Sequence, residues 1–173
     1  MTISSLTKKA ALSLALATGA ITSAHASQHD ITVWASVDPT LDLRKADGTA
    51  LWDTAQLTYS PASGSVGLST WTEQVRIFSN DEAKDVLVRV AAAPTLKRDA
   101  GGGTDQPLTV SLNGTDLALT NTTFSRTTLF PSGTTGESIR MPLSIRPTTK
   151  RAITDAGRYS GTVSIVMVQT DPP

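Results

Sequence analysis

The sequence contains no cysteine and few aromatic residues, and it offers little of the chemistry that enzymes use. Cysteine is absent from all 173 residues, which excludes disulfides, thiol nucleophiles, iron–sulfur clusters and cysteine-bound zinc. Of the two histidines, only His29 lies beyond the N-terminal leader described below. A Ser–His–Asp triad or a metal site needs a rigidly held histidine, whereas chain termini are usually mobile unless docked. We therefore predict that the protein is not an enzyme and uses no cofactor or metal.

Acidic and glycine-rich segments also lack a recognisable ligand-binding pattern. Asp38, Asp42 and Asp47 could suggest a calcium loop, but their spacing is not that of an EF-hand. The glycine run 101–103 is not followed by Gly-Lys-Ser or Gly-Lys-Thr, so it is not a P-loop. Basic residues do not cluster as they do in nucleic-acid-binding proteins, and we expect no nucleic-acid partner.

The N-terminus has the pattern of a secretory signal peptide. Lys8 and Lys9 precede a run of small and apolar residues, 10–21, and Ala24-His25-Ala26 fits the small-x-small cleavage site. The apolar run is shorter than the roughly 20 residues that a membrane-spanning helix needs. We predict a signal peptide over residues 1–26. The remaining 147 residues carry 13 basic and 15 acidic groups once the two lysines are removed, and they suit a single domain.

The mature chain alternates between short strands and turns. In the first strand, Ile31, Val33, Ala35 and Val37 alternate with Thr32, Trp34 and Ser36, and Asp38-Pro39 ends it. Further strands are predicted at 57–60, 71–79, 86–90, 108–112, 117–119, 139–146 and 159–168. No amphipathic helix follows the leader, and residues 120–138 are predicted as a long loop between core strands. Seven or eight short strands of this kind predict an all-β sandwich.

Two local signals refine the strand prediction. Asn113-Gly114 is typical of a two-residue hairpin turn. Pro142 lies within the predicted strand 139–146, and proline cannot donate a ladder hydrogen bond, so we predict that this strand is at a sheet edge or carries a bulge.

The first and last strands are unusual. The first begins only about four residues after the predicted cleavage site, and an exposed apolar strand is an aggregation hazard unless it is covered or used. In the last strand both faces are apolar, since Val166 and Val168 lie on its second face. The residues predicted to share its first face are Tyr159, Val163, Ile165 and Met167. This pattern indicates that another strand packs beside the last one.

Three blocks of the sequence carry a resemblance to a known family. They are ITVWASVDP at 31–39 with LDL and ADG soon after it, LTYSPA at 57–62, and AGRYSGTVSIVM at 156–167. In this order they resemble the class 5 fimbrial major subunits, the alternate chaperone–usher pilins of the CFA/I and CS1 type, with the cable pilus major subunit among their relatives. Two positions depart from the family: Trp34 replaces a small polar residue, and Ser27 replaces a bulky apolar one.

The resemblance implies an incomplete immunoglobulin-like β-sandwich that lacks one strand. A periplasmic chaperone fills the resulting groove first, and the N-terminal strand of the next subunit replaces it at the outer-membrane usher. Carried onto this chain, residues 27–39 form the donor strand and residues 40–173 form the pilin body. The donor inserts Ile31, Val33, Ala35 and Val37. Trp34 and Pro39 are candidate contacts to the neighbouring subunit. The acceptor groove includes Tyr159, Val163, Ile165 and Met167.

The resemblance predicts a function as the structural major subunit of an adhesive fimbria on the outer cell surface. Export passes through the periplasm, and the expected partners are identical subunits in a head-to-tail fibre, a chaperone, an usher and a tip adhesin, with a host-cell surface as a further candidate. The alternative is a minor or tip adhesin, or a secreted carbohydrate-binding β-sandwich. A tip adhesin normally needs an extra binding domain, for which 147 residues leave no room.

Overall fold

The structure, a computed structural model, describes residues 40–131 and 135–173. The predicted signal peptide and the predicted donor strand, including Trp34 and Pro39, lie outside the described residues. The described elements are strands β1 (Leu41–Lys45), β2 (Tyr59–Ser60), β3 (Gly67–Leu68), β4 (Trp71–Ser79), β5 (Asp85–Val90), β6 (Thr95–Arg98), β7 (Gln106–Leu112), β8 (Thr115–Asp116), β9 (Thr122–Phe124), β10 (Met141–Pro147), β11 (Tyr159–Ser160) and β12 (Ile165–Thr170), with one short helix, α1 (Arg126–Leu129).

The strands form two antiparallel sheets and a small hairpin. The larger sheet has the order β1-β4-β10-β7-β6-β11, with β8 paired to β7, and the smaller has the order β12-β5-β9. Strands β2 and β3 pair with each other. In an immunoglobulin-like sandwich one sheet has the order A-B-E-D and the other contains C and F. The run β1-β4-β10-β7 matches the first sheet and β12-β5 matches the second, as predicted for an immunoglobulin-like sandwich.

The core lies between the inner faces of the two sheets. Successive side chains of a strand point to opposite faces, and every second residue of the central strands is apolar. The most deeply buried of these residues are Val75, Ile77, Val86, Val88, Val110, Leu112 and Met141, all 1% exposed or less. Each contributes about 1.5–3 kcal/mol through removal of its side chain from water. This core fixes the positions of β1 and β12, which are edge strands of the two sheets.

The predicted strand 159–168 is wrong in one respect, because the chain divides it between the two sheets. Strand β11 pairs with β6 in the larger sheet, whereas β12 pairs with β5 in the smaller one. The crossing segment contains Gly161, where an added Cβ would lie 2.2 Å from the carbonyl oxygen of Thr95. Only glycine permits this close approach, and a regular strand does not continue through it.

The prediction that the strand containing Pro142 lies at an edge or is bulged is also wrong. Strand β10 lies between β4 and β7. Its pairing with β7 begins only at Leu143, opposite Leu112, because β7 turns away at Asn113-Gly114. Pro142 pairs with Gln74 of β4, and its carbonyl accepts a hydrogen bond from Asn113 N at 2.9 Å. The missing N–H of Pro142 therefore costs no bond in the ladder to β7.

The described part of the segment 120–138 is more ordered than a loop. It contains β9, which pairs with β5, and helix α1. The carboxylate of Asp85 accepts a hydrogen bond from Arg126 N at the start of the helix, at 2.9 Å, and Leu129 is fully buried. Further along, Ser138 is 0% exposed and its hydroxyl accepts a hydrogen bond from Ile77 N at 2.9 Å. This segment thus closes one side of the core.

Candidate functional site: the free edge of strand β12

Strand β12 has a partner on one side only among the described residues. Its residues pair in register with β5, from Ile165 opposite Val90 to Thr170 opposite Asp85. Within residues 40–131 and 135–173 no strand pairs with its other edge. In a complete immunoglobulin-like sandwich strand G pairs there, next to F. A free edge presents unpaired N–H and C=O groups, which makes it a template for an added strand.

The core-facing side chains of β12 are less buried than those of its neighbour. Ile165 and Met167 lie directly opposite Val90 and Val88, so all four share the inner face of the sheet. Val88 is 0% exposed and Val90 is 3% exposed. Ile165 and Met167 pack against the same core but remain only partly buried, as does Val163 just before the strand. The inner face is therefore incompletely covered along the free edge of β12.

Strand β1 forms the opposite wall of this opening. It is the edge strand of the larger sheet, and it contacts β12 across the sandwich. Leu41 and Leu43 lie opposite Ser79 and Ile77 of β4 and so face the core. Leu43 is 9% exposed and Leu41 is only partly buried. We call the opening lined by Leu41, Leu43, Val163, Ile165 and Met167 the edge groove.

Of the four residues predicted for the acceptor, the structure brings Val163, Ile165 and Met167 together and separates Tyr159 from them. Tyr159 pairs with Arg98 in the larger sheet, and its hydroxyl donates a hydrogen bond to the carbonyl of Asp155 at 3.0 Å. The prediction that Tyr159 shares a face with the other three is wrong, because the crossing at Gly161 places it in the other sheet.

Gln169 closes one end of the edge groove, and it was not predicted from the sequence. Its side-chain amide donates hydrogen bonds to Ser79 Oγ at 2.7 Å and to the carbonyl of Asp81 at 3.0 Å. Gln169 is the third inward residue of β12, after Ile165 and Met167, and lies opposite buried Val86. A polar residue at an inward position of an apolar strand was the available signal, since an amide that is removed from water needs a hydrogen-bond partner.

The chain enters β1 at this same end of the groove. Thr40 N donates a hydrogen bond to the side-chain oxygen of Asn80 at 2.7 Å, and Leu41 lies opposite Ser79. Thr40, the first described residue, is therefore held next to the turn that also binds Gln169, near the end of β12.

The acidic side chains of the described residues do not form a metal centre. Within 40–131 and 135–173, no three histidine, cysteine, aspartate or glutamate side chains lie close enough to share a metal ion. Asp42 instead pairs with Arg44 at 2.7 Å. Asp47 caps its own turn, accepting hydrogen bonds from the backbone N–H and the hydroxyl of Thr49 at 2.9 and 2.6 Å. No helix in this part of the chain combines the length and apolar character needed to cross a membrane.

Comparisons with known proteins show which family this chain is similar to. The family model described as "CS1 type fimbrial major subunit" matches residues 27–168. Two fimbrial proteins of Escherichia coli are similar along most of their length. The one from CFA/I fimbriae of strain H10407 is 38% identical over 149 residues, which is 84% of this chain and 86% of the relative. The one from CS1 fimbriae is 36% identical over 170 residues, which is 94% of this chain and 98% of the relative.

A solved structure supports the fold as well. The CooA pilin from enterotoxigenic Escherichia coli superposes with a TM-score of 0.65 and 34% sequence identity, covering 78% of this chain and 90% of the pilin. The likeness confirms the predicted family resemblance and the immunoglobulin-like fold class.

Proposed function

Because the chain belongs to the family of CS1 type fimbrial major subunits, we propose that it polymerises by donor-strand exchange, with residues 27–39 of one copy filling the edge groove of the next. The protein is a structural pilin, and the family consists of fimbrial subunits rather than enzymes. Such subunits assemble into fibres on the cell surface. The donor assignment and the route of export belong to the proposal.

The observation that carries the proposal is the free edge of β12. Ile165 and Met167 face the core, yet they are only partly buried, and among the described residues no strand pairs with the edge of β12 that faces away from β5. A strand with apolar residues at every second position would cover them while pairing with the β12 backbone. Ile31, Val33 and Val37 supply that pattern, and burial of each is worth about 1.5–3 kcal/mol.

The direction of assembly follows from the difference between donor and acceptor. The donor is an N-terminal segment and the acceptor is a groove in the body, so the contact is heterologous and grows without closing on itself. Each copy accepts a donor strand in its own edge groove and inserts its own donor strand into the edge groove of another copy. A fibre of identical subunits is the expected product, with an adhesin of a different sequence at the tip.

The free edge of β12 is also a reason to propose that a chaperone protects the subunit during export. An unpaired apolar edge would promote aggregation before assembly. A periplasmic chaperone that lends a strand to β12 would cover it, and an outer-membrane usher would exchange that strand for the next subunit's donor. The predicted signal peptide over residues 1–26 supports passage through the periplasm.

The proposal is tested by removing the donor. A deletion of residues 27–37 leaves β12 and the core unchanged, so the subunit should be recovered bound to its chaperone but should form no fibres in electron micrographs. Fibres of normal length from the deletion variant would overturn the donor assignment.

A matched pair of substitutions tests which face of the donor enters the groove. Val33→Asp places a charge on the inward face and should abolish fibres, because an isolated buried carboxylate is strongly unfavourable. Thr32→Asp adds the same charge one residue away on the outward face and should leave fibres intact. Equal behaviour of the two variants would contradict insertion of the odd-numbered face.

A further inference from the structure

The outer face of the small sheet carries an apolar patch that the core does not explain. Val168 lies directly opposite Leu87 of β5, and Val166 lies two residues before it on the same face. Val168 is 51% exposed. Leu87 and Val166 are themselves only partly buried. Together, Leu87, Val166 and Val168 form what we call the outer patch, and it borders the free edge of β12.

A strand added to β12 would extend the outer face as well as the inner one. Side chains alternate along every strand. If Ile31, Val33 and Val37 face the edge groove, then the even-numbered residues of the donor lie on the outer face, beside the even-numbered residues of β12. A slip of two residues, or a reversal of strand direction, leaves this relation unchanged, because only a one-residue slip exchanges the faces.

We propose that Trp34 of each copy packs on Val166 and Val168 of the next copy and covers the outer patch from the donor side. The inference rests on the donor-strand function proposed above. Between Ile31 and Val37 the outward residues of the donor are Thr32, Trp34 and Ser36, and of these only tryptophan has a large apolar surface. The occupant of the outer patch is therefore a second copy of this chain.

The chemistry of the pair fits a cross-strand contact. Aromatic side chains pair favourably with β-branched residues on the same face of neighbouring strands, and they also reach the diagonal neighbour. In every register that places Trp34 opposite Val166 or Val168, it would thus touch one or both of them. Tryptophan adds a large contact area. The contact of Trp34 with the outer patch therefore slows release of a donor whose inner face is already buried.

Fibre dissociation measures the effect directly. Fibres of Trp34→Ser should assemble, because the inward residues are unchanged, but they should dissociate in guanidinium about tenfold faster than wild-type fibres. Val168→Ser should accelerate dissociation to a similar degree, and the double variant should be no more than about twofold faster than either single variant. Unchanged rates for Trp34→Ser, or effects of the two substitutions that multiply, would overturn the proposal.

Two control variants separate this contact from general effects. Ser36→Ala alters the same outward face without removing apolar area. Trp52→Phe alters an exposed tryptophan of the body, which is 61% exposed and donates a hydrogen bond to Glu73. Both should dissociate at the wild-type rate. Failure of the donor-strand function itself would appear differently, as fibres formed by the deletion of residues 27–37.

Fluorescence gives a second and independent measurement. The chain has three tryptophans, so Trp52→Phe combined with Trp71→Phe leaves Trp34 as the reporter. Its emission should shift to shorter wavelength on polymerisation, and Val168→Ser should reduce that shift. An emission in fibres that matches fully hydrated tryptophan would overturn the contact.

Discussion

Ser79 joins three groups at the end of the edge groove, and its replacement by alanine should destabilise the body. Ser79 is 4% exposed. Its hydroxyl accepts hydrogen bonds from Gln169 Nε2 at 2.7 Å and from Asp81 N at 3.0 Å, and it donates one to the carbonyl of Asp81 at 3.1 Å. The hydroxyl therefore ties the last inward residue of β12 to the turn after β4.

The magnitude follows from the bonds that each variant loses. A neutral hydrogen bond contributes a net 0.5–1.5 kcal/mol, roughly, and an unsatisfied buried partner costs more. Ser79→Ala removes three bonds, and we expect a loss of about 2–3 kcal/mol in the free energy of unfolding. Gln169→Ala removes two bonds but leaves Ser79 and Asp81 bonded to each other, and it frees a flexible side chain, so we expect about 1 kcal/mol.

A double-mutant cycle tests whether the two residues act together. Because they share the bond at 2.7 Å, the double variant should lose about 1 kcal/mol less than the sum of the single losses. The assay is guanidinium unfolding of a self-complemented variant, in which residues 27–39 are repeated after Pro173 through a short flexible linker. If residues 27–39 are the donor proposed above, this arrangement should keep β12 covered and the protein monomeric during the measurement.

The control is a serine in a more exposed setting. The Ser144 hydroxyl lies 3.0 Å from that of Thr72 on the outer face of the larger sheet, and water can replace that bond. Ser144→Ala should therefore cost less than about 0.5 kcal/mol. Additive losses for Ser79 and Gln169, or a loss for Ser79→Ala no larger than that for Ser144→Ala, would refute the argument.

Two further predictions concern the crossing segment and the first turn. Gly161→Ala should cost more than about 3 kcal/mol in the free energy of unfolding, because its Cβ would lie 2.2 Å from Thr95 O. The control, Gly64→Ala, should cost about 1 kcal/mol from its positive φ alone. Equal losses for the two variants in chemical unfolding would contradict this prediction. The Thr49 hydroxyl, followed by the Thr49 backbone N–H, lowers the pKa of Asp47 from its usual 3.8. This stabilisation is present above about pH 4 and is lost as pH falls through the folded-state pKa, so the melting-temperature gap between wild type and Asp47→Ala should close in strong acid.

Local pattern was enough to predict the two central strands β4 and β5 and one turn. The alternation of apolar residues in 71–79 and 86–90 predicts β4 and β5, and their inward residues are buried in the structure. Asn113-Gly114 forms the predicted hairpin turn between β7 and β8, with φ of 50° and 80°. The alternation of side chains along a strand and the conformation of a two-residue turn depend on residues that are adjacent in the chain. Both can therefore be predicted from the local sequence.

The family could also be predicted from sequence, because the resemblance rests on blocks of residues at 31–48, 57–62 and 156–167. The match of the family model to residues 27–168 confirms it. The donor residues Ile31, Val33, Ala35 and Val37 remain a prediction, since they lie outside the described residues.

Sheet membership and edges were decided only by the tertiary structure. Alternation shows which residues share a face, but it does not show which distant strand will pair with that segment. Thus Tyr159 and Ile165, six residues apart in one predicted strand, lie in different sheets because Gly161 passes against Thr95. Pro142 fits in the central strand β10 because β7 turns away after Leu112, so that the pairing of the two strands begins at Leu143. The role of Gln169 likewise depends on Ser79, 90 residues earlier in the chain, and such long-range pairings arise only when the two sheets pack together.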